Sequence, residues 1–545
     1  MSHFKRKVMI KKISKIILAS VSICVLGSCS GFLDRNSLVG LSEGDFWKSE
    51  QDAVMGVDAL YHANREFTNS IVIYGMMDDF TDISYQSFAT GLTTGVFPAN
   101  ASFYSNSWGI FFKGIYRANT VLKNVPPIQM SEKIKNRTLG EAKFFRGYFY
   151  FKLWDYFGRV PLYDFPMNVD ESYKVRNTDK EVYEFIVKDL TEAYQMLPES
   201  YDQSNKGRAT KWAALAMRGK AHLWAKEYEK AAADFKELME KSDRTLLGDY
   251  HNLFRVAGNN NSEVILDVQY IAEQGHGLAT DRNYGNARGA TSGSQRTRPT
   301  PKLVNAYEMK DGTAFDFSNY KNAQGDTFNP DNPLDWRDES SVRKLFENRD
   351  PRMHKSVVVP WSTFVGKAGV EYLYRSPVVS TDPSAYVPVW TAGSYAWRKF
   401  VETGSVYILQ DNMPQNFPLI RLADVMLMYA EAKNEASAAD QSVYNAVNAV
   451  RTRAGMPGLP SGLNKEQMRE RIRHERMIEL CGEGQRYSDI RRWGIGKGVV
   501  DGVWMTEFTG VKIRQRGFPD HYYLWPIPQS ERDVNPGLEQ NPGWE

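Results

Sequence analysis

The sequence predicts a mainly α protein in which a scaffold of paired helices carries a large irregular, loop-rich half. Three observations lead there. Apolar residues recur at helical spacing over roughly 45–240 and 418–495. Between them, from about 268 to 415, the period fades and Gly, Pro and aromatic residues accumulate. Within the helical part, Gly219, Ala231 and Phe235 keep the small, small and aromatic spacing of a tetratricopeptide repeat, so the helix pairs are expected to be tetratricopeptide-like.

The chain opens with Lys5, Arg6, Lys7, Lys11, Lys12 and Lys15, followed by an apolar run from Ile16 to Leu26 and then Leu26-Gly27-Ser28-Cys29. A run of about 11 residues falls well short of the roughly 20 that cross a bilayer as a helix, and fits the core of an export signal. Small Gly27 and Ser28 before a cysteine resemble the lipobox of bacterial lipoproteins. Residues 1–28 are therefore expected to be a lipoprotein signal peptide, with Cys29 the lipidated start of a single domain over 29–545. Of the three cysteines, Cys24 leaves with the signal and Cys29 carries lipid, so Cys481 has no internal disulfide partner and stability must come from a large core. Residues 1–28 hold six basic and no acidic side chains, and their removal turns a net charge of +3 into −3. That balance argues against nucleic-acid binding.

Element by element, the helix around Glu141 to Tyr156 carries one apolar stripe through Ala142, Phe145, Phe149 and Leu153 and a second through Phe144, Tyr148 and Phe151. Two stripes imply burial on most sides. A helix pair follows over Thr210 to Ala225 and Tyr228 to Lys241, where Ala213, Ala216 and Gly219 allow close approach and Phe235 fills the groove. Further on, Glu263 to Tyr270 reads as a buried strand, Asp311-Gly312 and Gly325-Asp326 as turns, and Pro360, Pro377, Pro383 and Pro388 as breakers. A long irregular stretch dense in Trp and Tyr is a functional surface more often than a disordered one.

Several segments carry a family resemblance. Phe32-Leu33-Asp34 comes first, then Trp108, Tyr116, Ala118 and Asn119, then Gly140-Glu141-Ala142-Lys143-Phe144-Phe145-Arg146 with Phe157-Gly158-Arg159-Val160-Pro161-Leu162. Later blocks include Asn348-Arg349-Asp350-Pro351-Arg352, Arg421-Leu422-Ala423-Asp424-Val425, Arg451-Thr452-Arg453-Ala454-Gly455, Leu524-Trp525-Pro526-Ile527-Pro528 and Gln540-Asn541-Pro542-Gly543. Together they resemble the SusD/RagB family of nutrient-uptake lipoproteins, along essentially the whole chain after residue 29. The resemblance implies a SusD-like fold and a Bacteroidetes outer-membrane protein, lipid-anchored and facing the cell exterior. It also implies a SusC-like TonB-dependent transporter as partner, to which captured oligosaccharides or, in RagB-like members, peptides are delivered.

Glu475, Arg476, Glu479, Glu483, Arg486, Asp489, Arg491 and Arg492 balance four acids against four bases at helical spacing, which reads as a structural ion-pair network. Glu431, between alanines on an apolar helix, calls for a buried partner such as an arginine. Asp78, Asp79 and Asp82 precede a loop with Tyr85 and Phe88. A glycosidase would need two such acids about 5–10 Å apart across a sugar; helix capping or hydroxyl binding are the plainer uses. No nucleophile elbow, metalloprotease motif, phosphate loop or clustered Cys/His set occurs, so neither enzyme nor cofactor nor metal is expected. Ligand binding is instead expected from flat aromatic faces with polar neighbours: Asp82, Tyr85, Phe88, Tyr284, Trp336, Trp361, Tyr372, Tyr374 and Trp390, with Tyr386 beside them. Arg282, Arg288, Arg296 and Arg298 stud a Gly- and Asn-rich segment, either a solvated loop or a mark of an acidic ligand.

Overall fold

Helices form where the apolar stripes are longest, in the order α1 Glu50–Ser70, α2 Ser102–Asn124, α3 Glu132–Phe157, α4 Asp179–Met196, α5 Lys211–Trp224 and α6 Tyr228–Lys241. The computed structural model describes residues 46–70, 74–86, 91–279, 283–285, 294–366, 369–375, 385–386, 394–402 and 412–544. The expected signal peptide, lipobox and Cys29 lie outside them, as do Phe88 and Trp390.

Local chemistry sets the helix starts. Thr178 and Glu181 form a reciprocal capping box at the head of α4, and the Thr210 hydroxyl accepts the Ala213 N–H at the head of α5. The twin stripes of α3 are spent on two neighbours, α2 and α4, and nearly every side chain from Gly140 to Phe157 is buried. α5 packs on α4 and α6 in turn. The tetratricopeptide-like contact is direct: a Cβ on Gly219 would stand 2.7 Å from the Phe235 ring, so only glycine lets α5 and α6 approach this closely.

The strand expected over Glu263 to Tyr270 forms as Val264–Val268, antiparallel to Phe417–Arg421. This ribbon joins the two ends of the middle third and clamps it at its base. Both predicted turns occur, with Gly312 at φ +86° and Gly325 at φ +88°. The middle third is more regular than its sequence suggests, for it contains α7 Glu339–Phe346 and α8 Pro351–Ser356 among short strands. Their signals are compact: Asp338 caps Ser341 N–H at 2.7 Å, and Asp350-Pro351 is an N-cap followed by proline at the first helical position. Such short helices escape a periodicity reading.

After the ribbon come α9 Leu422–Ser437, α10 Gln441–Arg453, α11 Lys465–Glu479 and α12 Gln485–Arg492, with α9 closing on α6. The ion-pair network fills this corner. Arg421 reaches Glu263 at 2.7 Å, Glu479 at 2.6 Å and Glu483 at 2.7 Å; Arg352 joins Asp350, Glu475 and Glu479; Arg476 joins Asp424 and Asp489. Glu431 has the arginine its surroundings called for, Arg492, at 2.7 Å.

Burial alone pushes the Glu479 carboxyl up, but Arg453, Arg421 and Arg352 outweigh it and hold the group well below the ordinary carboxylate range. Asp82 is held low against burial by Arg486 and Lys302, and Asp489 by Arg476 and Arg492. A carboxyl with a depressed folded pKa stabilises fully above its unfolded value, about 4, and loses that contribution as pH falls through the folded value. Asp78 and Asp79, pushed upward by burial, add no further change below about pH 4. Stability is therefore expected to fall steeply from about pH 4 to pH 2. Urea midpoints that stay level across that window would contradict this account.

Candidate functional site

The irregular half presents a cavity of about 380 Å³ lined by Phe346, Val359, Pro360 and Trp361 on its apolar side and by Arg343, Glu347, Asn348 and His354 on its polar side. It is built where α7 ends, α8 begins and the Pro360 turn passes over them. Arg349 fixes the floor. Its guanidinium donates to the carbonyls of Val304 at 2.8 Å, Tyr307 at 2.7 Å and Leu345 at 3.0 Å, and lies 3.7 Å from the Phe315 ring centre. With its donors engaged it is structural, whereas Arg343, Glu347 and Asn348 are exposed. Arg343 also pairs with Glu339 at 2.7 Å, and His354 Nε2 bonds the Phe346 carbonyl at 2.9 Å.

Two of the lining residues have left-handed backbones without being glycine, Asn348 at φ +53° and Trp361 at φ +61°. Asparagine tolerates this conformation, but a bulky indole does so at a cost of about 1–3 kcal/mol. The surroundings hold it there: Trp361 N–H donates to the Tyr374 carbonyl at 2.6 Å, and Tyr374 N–H to the Ser362 carbonyl at 2.9 Å.

The structure brings together part of the expected aromatic set. Trp361 sits beside the strands Thr363–Val365 and Glu371–Tyr374, where half-buried Tyr372 stacks on Phe364 at 5.8 Å. Tyr374, expected at the ligand, is instead wholly buried with its hydroxyl donating to the Ser394 carbonyl, which corrects its assignment.

Four other residues named from sequence are spent elsewhere, which corrects their assignment. Trp336 is fully buried, donates to the Pro330 carbonyl at 3.0 Å and packs on Phe508 at 4.6 Å. Tyr284 is fully buried and donates to the Gly482 carbonyl at 3.0 Å. Tyr85 is buried on the strand Ser84–Gln86, with Arg298 at 6.0 Å from its ring. Asp82 is a clamp, bidentate to Arg486 at 2.9 Å and paired with Lys302 at 2.8 Å. Each is occupied because a chain with little other crosslinking uses its large aromatics and paired charges to build the core.

Asp78 takes the capping role weighed for it, accepting N–H groups of Gly482, Gly484 and Arg486 at the head of α12. Of the four arginines in the Gly- and Asn-rich segment, Arg298 is buried, Arg296 is exposed, and Arg282 and Arg288 lie outside the described residues. Asn348, Glu347 and His354 were missed as site residues. The Asp350-Pro351 helix start was the available signal, since it places a chain reversal, and so a concavity, just before α8.

A wider groove of about 850 Å³ runs between α6, α9 and α10. Its walls are small and charged, with Ala232, Ala436, Lys236 and Lys433 among them, and its one aromatic, Tyr429, bonds Ser442 at 2.8 Å. It offers a sugar no free flat face. Among the described residues no His, Cys, Asp and Glu cluster has the geometry of a metal site, and no helix is long and apolar enough to cross a membrane.

Comparison with known proteins gives the same picture of the whole chain. Residues 262–544 match the model of the SusD family, and residues 34–223 match a family described as starch-binding, associating with the outer membrane. SusD-like protein P25 of Formosa agariphila is 28% identical over 562 residues, covering 97% of this chain and 98% of that protein. A SusD-like protein of Bacteroides fragilis superposes with a TM-score of 0.80 at 26% identity, over 93% of this chain and 100% of the other. A SusD-like carbohydrate binding protein of the same species gives 0.78 at 27% identity, over 91% and 100%. With a mainly helical fold, tetratricopeptide-like pairs and a clamped irregular half, the chain belongs to the SusD family.

Proposed function

We propose that this protein captures oligosaccharides at the outer membrane and passes them to a SusC-like TonB-dependent transporter, without any covalent step. The observation that carries the reading is the cavity at Trp361, where an apolar wall faces exposed Arg343, Glu347 and Asn348. Sugar rings have the same two-sided character, C–H faces and a hydroxyl rim. Support comes from the carbohydrate binding named for the Bacteroides fragilis relative and from the family description of outer-membrane association. In this reading Cys29 carries the lipid anchor that holds the protein on the membrane, facing outward. Trp361 and Tyr372 contact the ligand, and Phe88 and Trp390, outside the described residues, remain candidates beside them.

The experiment is migration of the protein without its lipid anchor through native gels that each contain one polysaccharide. Retardation in one or two gels of a broad panel is the expected result. Free migration in every gel, together with binding of mixed peptides, would replace glycan capture by peptide capture. Release of new reducing ends from any of these polysaccharides would overturn the non-catalytic reading.

A further inference from the structure

A second, smaller cavity of about 190 Å³ lies across the short strand Val357–Val358 from the Trp361 site. Successive side chains of an extended segment face opposite ways, so Val358 lines this cavity while Val359 lines the other. Its apolar walls are buried Phe364, Trp397 and Val401. Three nitrogen-rich side chains share it: His251, Arg255 and Arg398.

Two of them are satisfied by each other and by their surroundings. Arg255 pairs with Glu402 at 3.3 Å, donates to the Val401 carbonyl, and donates through Nε to His251 Nε2 at 3.1 Å. Because His251 Nε2 accepts, that ring is neutral, and burial followed by the Arg255 charge pulls it down to about 4.

Arg398 is different. Its Nη2 donates to the Thr363 carbonyl at 2.7 Å, its Nε is buried without a hydrogen-bond partner, and no carboxylate pairs with it among the described residues. Burial, then the neighbouring Arg255, pull it down to about 10, with no acid among the described residues acting the other way. The arginines of the helical network, such as Arg352, Arg421 and Arg476, each face carboxylates; Arg398 faces a cavity. Arg398 is half-buried, but a buried Nε–H beside a second cation is costly unless an anion completes it, and the planar guanidinium fork fits the oxygens of a carboxylate or sulfate.

We infer that this cavity binds an oxyanion, a carboxylate or a sulfate ester, carried by an acidic sugar unit, with Arg398 as the fork and the Phe364 side as the apolar wall. The protein would then select acidic glycans, a refinement that rests on the glycan-capture reading above.

The test titrates the purified protein with glucuronate, glucose 6-sulfate and glucose, following binding by NMR. Glucuronate or glucose 6-sulfate is expected to bind at least about tenfold more tightly than glucose, the difference that a charge-assisted bond supplies. Whichever of the two binds identifies the source of the anion. Arg398→Gln should remove that preference, and Arg398→Lys, which keeps the charge and loses the fork, should weaken it, with both variants unfolding at the wild-type urea midpoint. Equal binding of all three sugars, or a preference untouched in Arg398→Gln, would overturn the inference. If neutral polysaccharides retard the protein while neither acidic sugar binds, the anion site falls and glycan capture stands. If acidic sugars bind through Arg398 but no polysaccharide retards the protein, the site stands and the broader function falls.

Discussion

Replacing Arg421 with alanine is expected to destabilise the protein by about 3–5 kcal/mol, the usual loss when one member of a buried ion network is removed. Arg421 stands at the end of the Phe417–Arg421 strand and binds Glu263 from the turn just before the paired strand, Glu479 from the end of α11 and Glu483 from the turn before α12. All are nearly or wholly buried, so its loss leaves three desolvated carboxylates one cation short, with only Arg453 for Glu263, Arg352 and Arg453 for Glu479, and Lys399 for Glu483. Two further contacts add to this, since Arg421 Nη2 donates to the Glu479 carbonyl at 2.8 Å and the guanidinium lies 5.7 Å from the Phe254 ring. The same residue ties the ribbon that closes the irregular half to the helical corner. Loosening should therefore appear first as faster amide exchange in the Val264–Val268 strand. A shift in the urea midpoint equivalent to less than about 1 kcal/mol, the range of an exposed pair, would show that the network carries little stability.

Trp361→Ala should weaken capture of the retarding polysaccharide by about 2 kcal/mol, roughly thirtyfold, as expected for an aromatic anchor at the centre of a site. The side chain is also buried, at 5% exposure, and its removal leaves a void beside Phe346 and Pro360. Folding and binding must be separated, and Asn348 does so. Asn348→Gly keeps a backbone that suits φ +53° and removes only an exposed amide, so stability should hold while affinity drops. If Trp361→Ala and Asn348→Gly both bind the polysaccharide as the wild type does, the ligand lies elsewhere. The Trp361 turn would then be a structural strain with no part in capture.

Much of the scaffold was legible because its signals are local. The stripes of α3 and the match of Gly219 with Phe235 each depend on residues within a few turns of one another or in adjacent helices. The balanced charges of 475–492 read as a network for a similar reason: buried charge must be paired, whatever supplies the partner. Arg492 with Glu431 and Arg491 with Asp155 are particular solutions to that requirement.

The candidate site was less legible. Trp336 and Trp361 look alike in sequence, two tryptophans in a loop-rich stretch, yet one is sealed by Phe508 and the other lines a cavity. Only the folded path of the chain brings Phe508 to Trp336. Arg398 is similar, unremarkable until its place in a cavity, its unpartnered Nε and the absence of a facing acid among the described residues set it apart from the arginines of the network.

By itself the sequence determined the helical scaffold, the strand that opens the irregular half, the need for paired buried charge and membership of the family, because periodicity, charge balance and motif order are properties of neighbours along the chain. Only the tertiary structure decided which aromatics are core, which line a cavity and which buried arginines face carboxylates. Exposure and charge pairing are set by contacts between residues far apart in sequence, and those contacts exist only once the chain has folded.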